Sequence, residues 1–76
     1  MNPEIHNPAF RDPSIDGFCR RHLVSRSTYY NLKAAGLAPR EYVVGKLVRI
    51  SAEAEAEWVR AREAAEDARR SARSAA

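Results

Sequence analysis

Apolar positions along this chain keep a helical spacing twice, switch to strand-like alternation over about ten residues, and then return to a helical spacing. Before Ser14 no spacing is kept. Pro3, Pro8 and Pro13 punctuate residues 1–13, which read as an extended N-terminal arm, either flexible or with Ile5 or Phe10 packed onto the domain. Ser14 is placed to cap a first helix with Asp16 in its first turn, where the helix dipole favours a carboxylate. Phe18, Cys19 and His22 fall on one face of it, and the helix is expected to end near His22. Gly17 weakens it by about 1 kcal/mol relative to alanine.

Leu23 and Val24 break the pattern, and Ser25 is the natural cap of a second helix. Tyr29 and Leu32 point inward, joined by Ala34 or Ala35, while Arg26, Ser27, Tyr30, Asn31 and Lys33 are left outside. Gly36 stands where a helix ends in the left-handed region, and Pro39 prevents continuation. Two helices about three residues apart predict a helix-turn-helix. From Arg40 to Ile50 the β-branched and aromatic runs "EYVV" and "LVRI" flank Gly45-Lys46, a pair suited to a type II′ hairpin turn. Val43, Val48 and Ile50 then share one face, with Tyr42 and Arg49 on the other.

Ser51 caps a third helix with Glu53, Glu55 and Glu57 near its start and Arg69, Arg70 and Arg73 near its end, matching the macrodipole. Ala54, Trp58, Ala61 and Ala65 form its apolar stripe, with Val59 alongside. Trp58 is the expected anchor, having the most area to bury. The domain is expected over residues 14–68, with a tail at 69–76 that frays. The fold class is thus mainly α with a small β-hairpin: helix, helix, two-stranded wing, C-terminal helix.

Length and charge narrow the function. A chain of 76 residues buries only about 60% of its unfolded surface, leaving little room for an enclosed active site. Thirteen cations against ten acids give +3, unevenly spread: residues 1–50 carry +4 and residues 51–76 carry −1. The excess lies with the two short helices and the hairpin, favouring an anionic partner there. A single Cys19 excludes an internal disulfide and fits a reducing compartment. No apolar run reaches the ~20 residues that span a bilayer, so no membrane role and a cytoplasmic location are expected. With one cysteine and His6 in the arm, there is no metal-ligand set; His22 and Cys19 read as packing residues. No phosphate loop or paired-acid constellation points to an enzyme, and no cofactor is expected.

The segment "VSRSTYYNLKAAGLAP", then "GKLVRIS", then a helix carrying "EWV", resembles the small winged helix-turn-helix proteins of the MerR-like superfamily. The compact phage and mobile-element members, excisionases and AlpA-type regulators, are the nearest in pattern, over residues 14–60. The resemblance implies a recognition helix at 25–35 in the major groove, with Arg26, Ser27 and Thr28 at bases or adjacent phosphates. It makes Tyr30 and Asn31 backbone-side contacts, and Lys46 the tip of a wing near the minor groove. Two positions depart from the family pattern. Leu23 stands where glycine is common, and a left-handed leucine is strained, so a longer or differently shaped turn is expected. Ile50 replaces a common aromatic, which bears on packing.

Elementary chemistry points the same way. A helix amino end attracts phosphate through its free N–H groups. Arginine's fork matches guanine O6 and N7, at about 1–3 kcal/mol of discrimination per good pair, and Asn31 can pair with adenine similarly. Lys33, Arg40, Lys46 and Arg49 are candidates for phosphate contacts that position without specifying. Other readings stay open. Ser25 is a cap before it is a contact, Tyr30 is either a rim packing residue or a phosphate donor, and Lys46 either reaches a phosphate or solvates a turn.

The expected function is therefore sequence-specific double-stranded DNA binding, as a transcriptional regulator or a recombination directionality factor of a phage or integrative element. The expected partners are DNA, a second copy as homodimer or cooperative array on it, and an integrase or other protein. The alternative is a protein-interaction module or inhibitor on the same scaffold, pairing through the C-terminal helix.

Overall fold

The computed structural model describes residues 10–75; the arm at residues 1–9, with Ile5 and His6, lies outside them. Three helices and one hairpin succeed one another: α1 Ile15–His22, α2 Arg26–Ala34, β1 Tyr42–Val44, β2 Leu47–Arg49 and α3 Ala52–Ala75. This is the helix, helix, wing, helix layout of a winged helix-turn-helix.

Each helix begins on a serine. Ser14 Oγ accepts from Gly17 N, Ser25 Oγ from Thr28 N and Ser51 Oγ from Ala54 N, each at 3.0 Å. Gly17 has a second role besides weakening α1. A Cβ there would collide with the Asp12 carbonyl oxygen, so the residue lets the preceding segment lie against the helix. That segment is not a free arm at its inner end. Arg11 pairs with Glu55, Arg21 donates to the Asp12 carbonyl at 2.6 Å, and Ile50 N donates to the Pro13 carbonyl at 2.7 Å.

The turn between α1 and α2 is not lengthened. Leu23 itself adopts the left-handed conformation, φ 54° and ψ 42°. The amides of Leu23 and Val24 close back on the carbonyls of Arg20 and Cys19, which satisfies the helix end as a glycine would. The strain is local, and the Leu23 side chain is 92% exposed. At the end of α2, Gly36 takes the same region with φ 76°, as expected.

In the antiparallel hairpin Tyr42 faces Arg49, Val43 faces Val48 and Val44 faces Leu47. Gly45 has φ 63° and Lys46 has no positive φ, consistent with the type II′ turn. The core reaches Ile50 and Val48 but not Val43, which is 63% exposed.

Phe18, Tyr29 and Ile50 are the largest fully buried side chains, joined by Ile15, Cys19 and Ala54. Phe18 is central, with Tyr29 edge-on at 5.6 Å and Trp58 at 4.9 Å between ring centroids. Trp58 anchors from the rim rather than the centre: half-buried, it donates Nε1 to the Leu37 carbonyl at 2.7 Å. Ala34 and Ala35, at the end of α2, are exposed, and Ala38 packs against the core instead. Of the α3 stripe only Ala54 is buried, with Ala61 exposed and Ala65 half-buried. The helix runs on through the tail to Ala75, with ion pairs Arg69–Glu66 and Arg70–Asp67 each within one turn.

Glu55 ties α3 to α1. Only 13% of its side chain is exposed, and it receives Arg11 at 2.6 Å and Arg21 at 2.7 Å, while His22 Nε2 lies 2.7 Å away. Burial by itself raises this carboxyl, but the hydrogen bonds from Arg21, Arg11 and His22 outweigh it and hold the pKa at about 2.

Two outcomes are expected. The folded carboxyl ionises below its ordinary 4.5, so Glu55 contributes fully above about pH 4.5 and loses its contribution as pH falls toward 2. Glu55→Gln should lose roughly 3 kcal/mol in urea unfolding at pH 7 and flatten that acid limb. Leu23→Gly should instead gain about 0.5–1 kcal/mol, the relief of left-handed strain less the added freedom of the unfolded chain. A loss of stability on thermal unfolding would contradict the strain.

Candidate nucleic-acid interface

The amino end of α2 stands open. Ser25, Arg26, Ser27 and Thr28 are all exposed, as are Tyr30, Asn31 and Lys33 one turn further on. Ser25 is fully engaged as a cap: it accepts from Thr28 N, and its hydroxyl donates to Thr28 Oγ1 at 3.0 Å. Tyr29 turns the other way into the core, which fixes the outward direction of its neighbours.

A groove runs from the start of α1 across the start of α2 to the hairpin. Arg26 and Tyr30 of α2, Lys46 of the turn and Arg49 of β2 line it, with Asp16 of α1 as its one carboxylate. Residues from α1, α2 and the hairpin thus meet on one face. Among the described residues neither Lys46 nor Arg49 has a carboxylate within 4 Å. Arg49 Nη1 donates only to its neighbouring Val48 carbonyl, at 2.9 Å.

Arg26 is spread across the groove floor. Nη1 lies 2.5 Å from Asp16 Oδ1, Nη2 donates to the Tyr30 hydroxyl at 2.8 Å, and the guanidinium sits 5.5 Å from the Tyr30 ring centroid. The hydrogen bond to Asp16, then that to Tyr30, raises its already high pKa, so it stays a cation. Tyr30 thus braces Arg26, with its ring edge-on to Tyr29.

Two expected phosphate contacts are engaged elsewhere. Lys33 pairs with Glu41 at 2.9 Å, and Arg40 with Glu57 at 3.0 Å. Glu41 is held from both sides, because the buried Tyr29 hydroxyl donates to it as well. Burial raises the Glu41 carboxyl, and the bonds from Tyr29 and Lys33 lower it by more; Tyr29 itself is pushed up by burial and then by Glu41. The Arg40–Glu57 pair is exposed and worth little to stability.

Sequence reasoning missed Asp16 and Glu41 as members of this region. Asp16 carries a sufficient local reason, the α1 dipole, and only the crossing of α1 over α2 brings it to Arg26. Glu41 offered one clue, its place directly before the β1 run on a chain segment otherwise rich in cations.

No protein-family model matches the chain, and neither a curated protein nor a solved structure is detectably similar to it.

Replacing the cap tests the frame of this face. Ser25→Ala should cost about 1 kcal/mol of stability, since Thr28 N loses its acceptor at the exposed amino end. Amide exchange should speed up in the first turn of α2 while Leu32 and Lys33 keep their protection.

Proposed function

We propose that this protein binds double-stranded DNA sequence-specifically, as a winged helix-turn-helix of the MerR-like kind, serving as a transcriptional regulator or a recombination directionality factor. One observation carries the reading: Arg26, Lys46 and Arg49 converge on a single open groove containing one carboxylate. The exposed hydroxyls of Ser27 and Thr28 beside it let an α2 amino end approach a duplex closely. In this reading α2 enters the major groove, with Arg26 at a base edge and Asn31 beside it. The hairpin is the wing, Lys46 and Arg49 meeting phosphates. Lys33 contributes less than its charge suggests, being held by the largely buried Glu41, whereas Arg40 can leave its exposed partner Glu57 for a phosphate. Specificity in so small a domain comes from a second copy or a cooperative array on adjacent half-sites. The role is that of a binder without catalysis or cofactor.

A protein-interaction module is the second reading. The uninterrupted, largely exposed distal part of α3 favours it, as do Tyr42, Val43, Val44 and Leu47 exposed on the hairpin.

Titration of random duplex, and of a duplex enriched from a randomised pool, tests the first reading. Log affinity should fall with log salt at a slope of about −2, for the two phosphates met by Lys46 and Arg49. Arg26→Ala should lower the preference for the enriched duplex by about 1–3 kcal/mol, whereas Lys46→Ala should weaken both duplexes alike. No binding at low salt, or a slope near zero, sinks the DNA reading in favour of the second.

A further inference from the structure

Arg26 occupies an unusual place. It is the first residue of α2, where the helix dipole is positive, and the first turn of α2 contains no acid. The compensating carboxylate comes from another helix: Asp16, in the first turn of α1, at 2.5 Å. Both side chains are about half exposed, 51% and 56%, so the pair lies at the surface and opens readily. Asp16 also lines the same groove as Lys46 and Arg49. It thus sits where an approaching phosphate or base edge would meet Arg26.

Resting on the DNA-binding reading, we propose that Asp16 is the specificity-determining residue of this groove. It occupies Arg26 until a base edge offers a better fit. A phosphate can also fill the guanidinium fork with two acceptors, but it brings its own negative charge against the displaced Asp16 carboxylate. A guanine edge fills the same fork with two acceptors and no net charge, so it displaces Asp16 without that repulsion. Asp16 therefore weakens every complex, and weakens the wrong ones most, which is how a repulsive element separates partners. Tyr30 holds the other guanidinium nitrogen, so that the arginine turns about a fixed point rather than swinging freely.

The test compares wild type with Asp16→Asn in the full chain, on random duplex and on the duplex the wild type enriches from a randomised pool. Asp16→Asn should bind random duplex about 3–10-fold more tightly, with a salt slope steeper by about 0.9 as one more phosphate is neutralised. Affinity for the enriched duplex should rise less, so the preference ratio falls. Glu66→Gln makes the same change in net charge far along α3 and should leave that ratio unchanged. Asp16→Ser retains an oxygen acceptor in the first turn of α1 and, should Asp16→Asn unfold, must move the ratio in the same direction. Unchanged random-duplex affinity, or a loss confined to the enriched duplex, would overturn the role of Asp16 while leaving DNA binding intact. Absence of DNA binding in the wild type would overturn both.

Discussion

Glu55 is the carboxylate around which this chain closes. A three-helix chain of this size has too little apolar surface to seat a long helix by burial alone, and the stripe of α3 delivers only Ala54 to the centre and Trp58 to the rim. Glu55 supplies the rest. It gathers Arg11 from the segment before α1 together with Arg21 and His22 from the last turn of α1. The segment before α1 and α1 itself are thereby fixed to the distant α3 through charge-assisted hydrogen bonds, stronger than neutral ones and shielded here from water. The same bonds position the ring of His22 against Phe18 and Trp58, at 4.6 and 5.0 Å.

With α3 seated, the remaining acids sort the surface. Asp12 pairs with Arg20, Glu41 with Lys33, and Glu57 with Arg40, so much of the positive excess of residues 1–50 is neutralised locally. What survives is concentrated where α2 meets the hairpin, at Lys46 and Arg49 beside Arg26. A modest net charge becomes a directed one. Long-range attraction of an anion depends on such concentration, since exposed charges more than about a Debye length apart are screened from one another.

The elements were legible in the sequence because their signals are local. Serine before each helix, Gly36 after the second, Gly45-Lys46 between two β-branched runs and the inward Tyr29 all act within a few residues of themselves. The candidate interface was legible in part on the same grounds: with Tyr29 buried, Ser27 and Asn31 on the opposite side of α2 must face out, and Arg26 is exposed as the first residue of the helix. Leu23 shows the limit of such reasoning. Its left-handed strain was foreseeable and a rearranged turn the natural expectation. The closing hydrogen bonds to Arg20 and Cys19 and the packing on either side instead impose the conformation on leucine.

Caps, periods and turn chemistry, then, fixed the order and extent of the helices and hairpin, since each depends on contacts within about four residues along the chain. Tertiary structure decided which charges are free. Whether Lys33, Arg26 or Arg40 meets a carboxylate depends on how segments eight, ten and seventeen residues apart pack together, and no local rule encodes the few ångströms that make or break an ion pair. Coulombic attraction is blind to sequence separation, so its pattern exists only once the chain has folded.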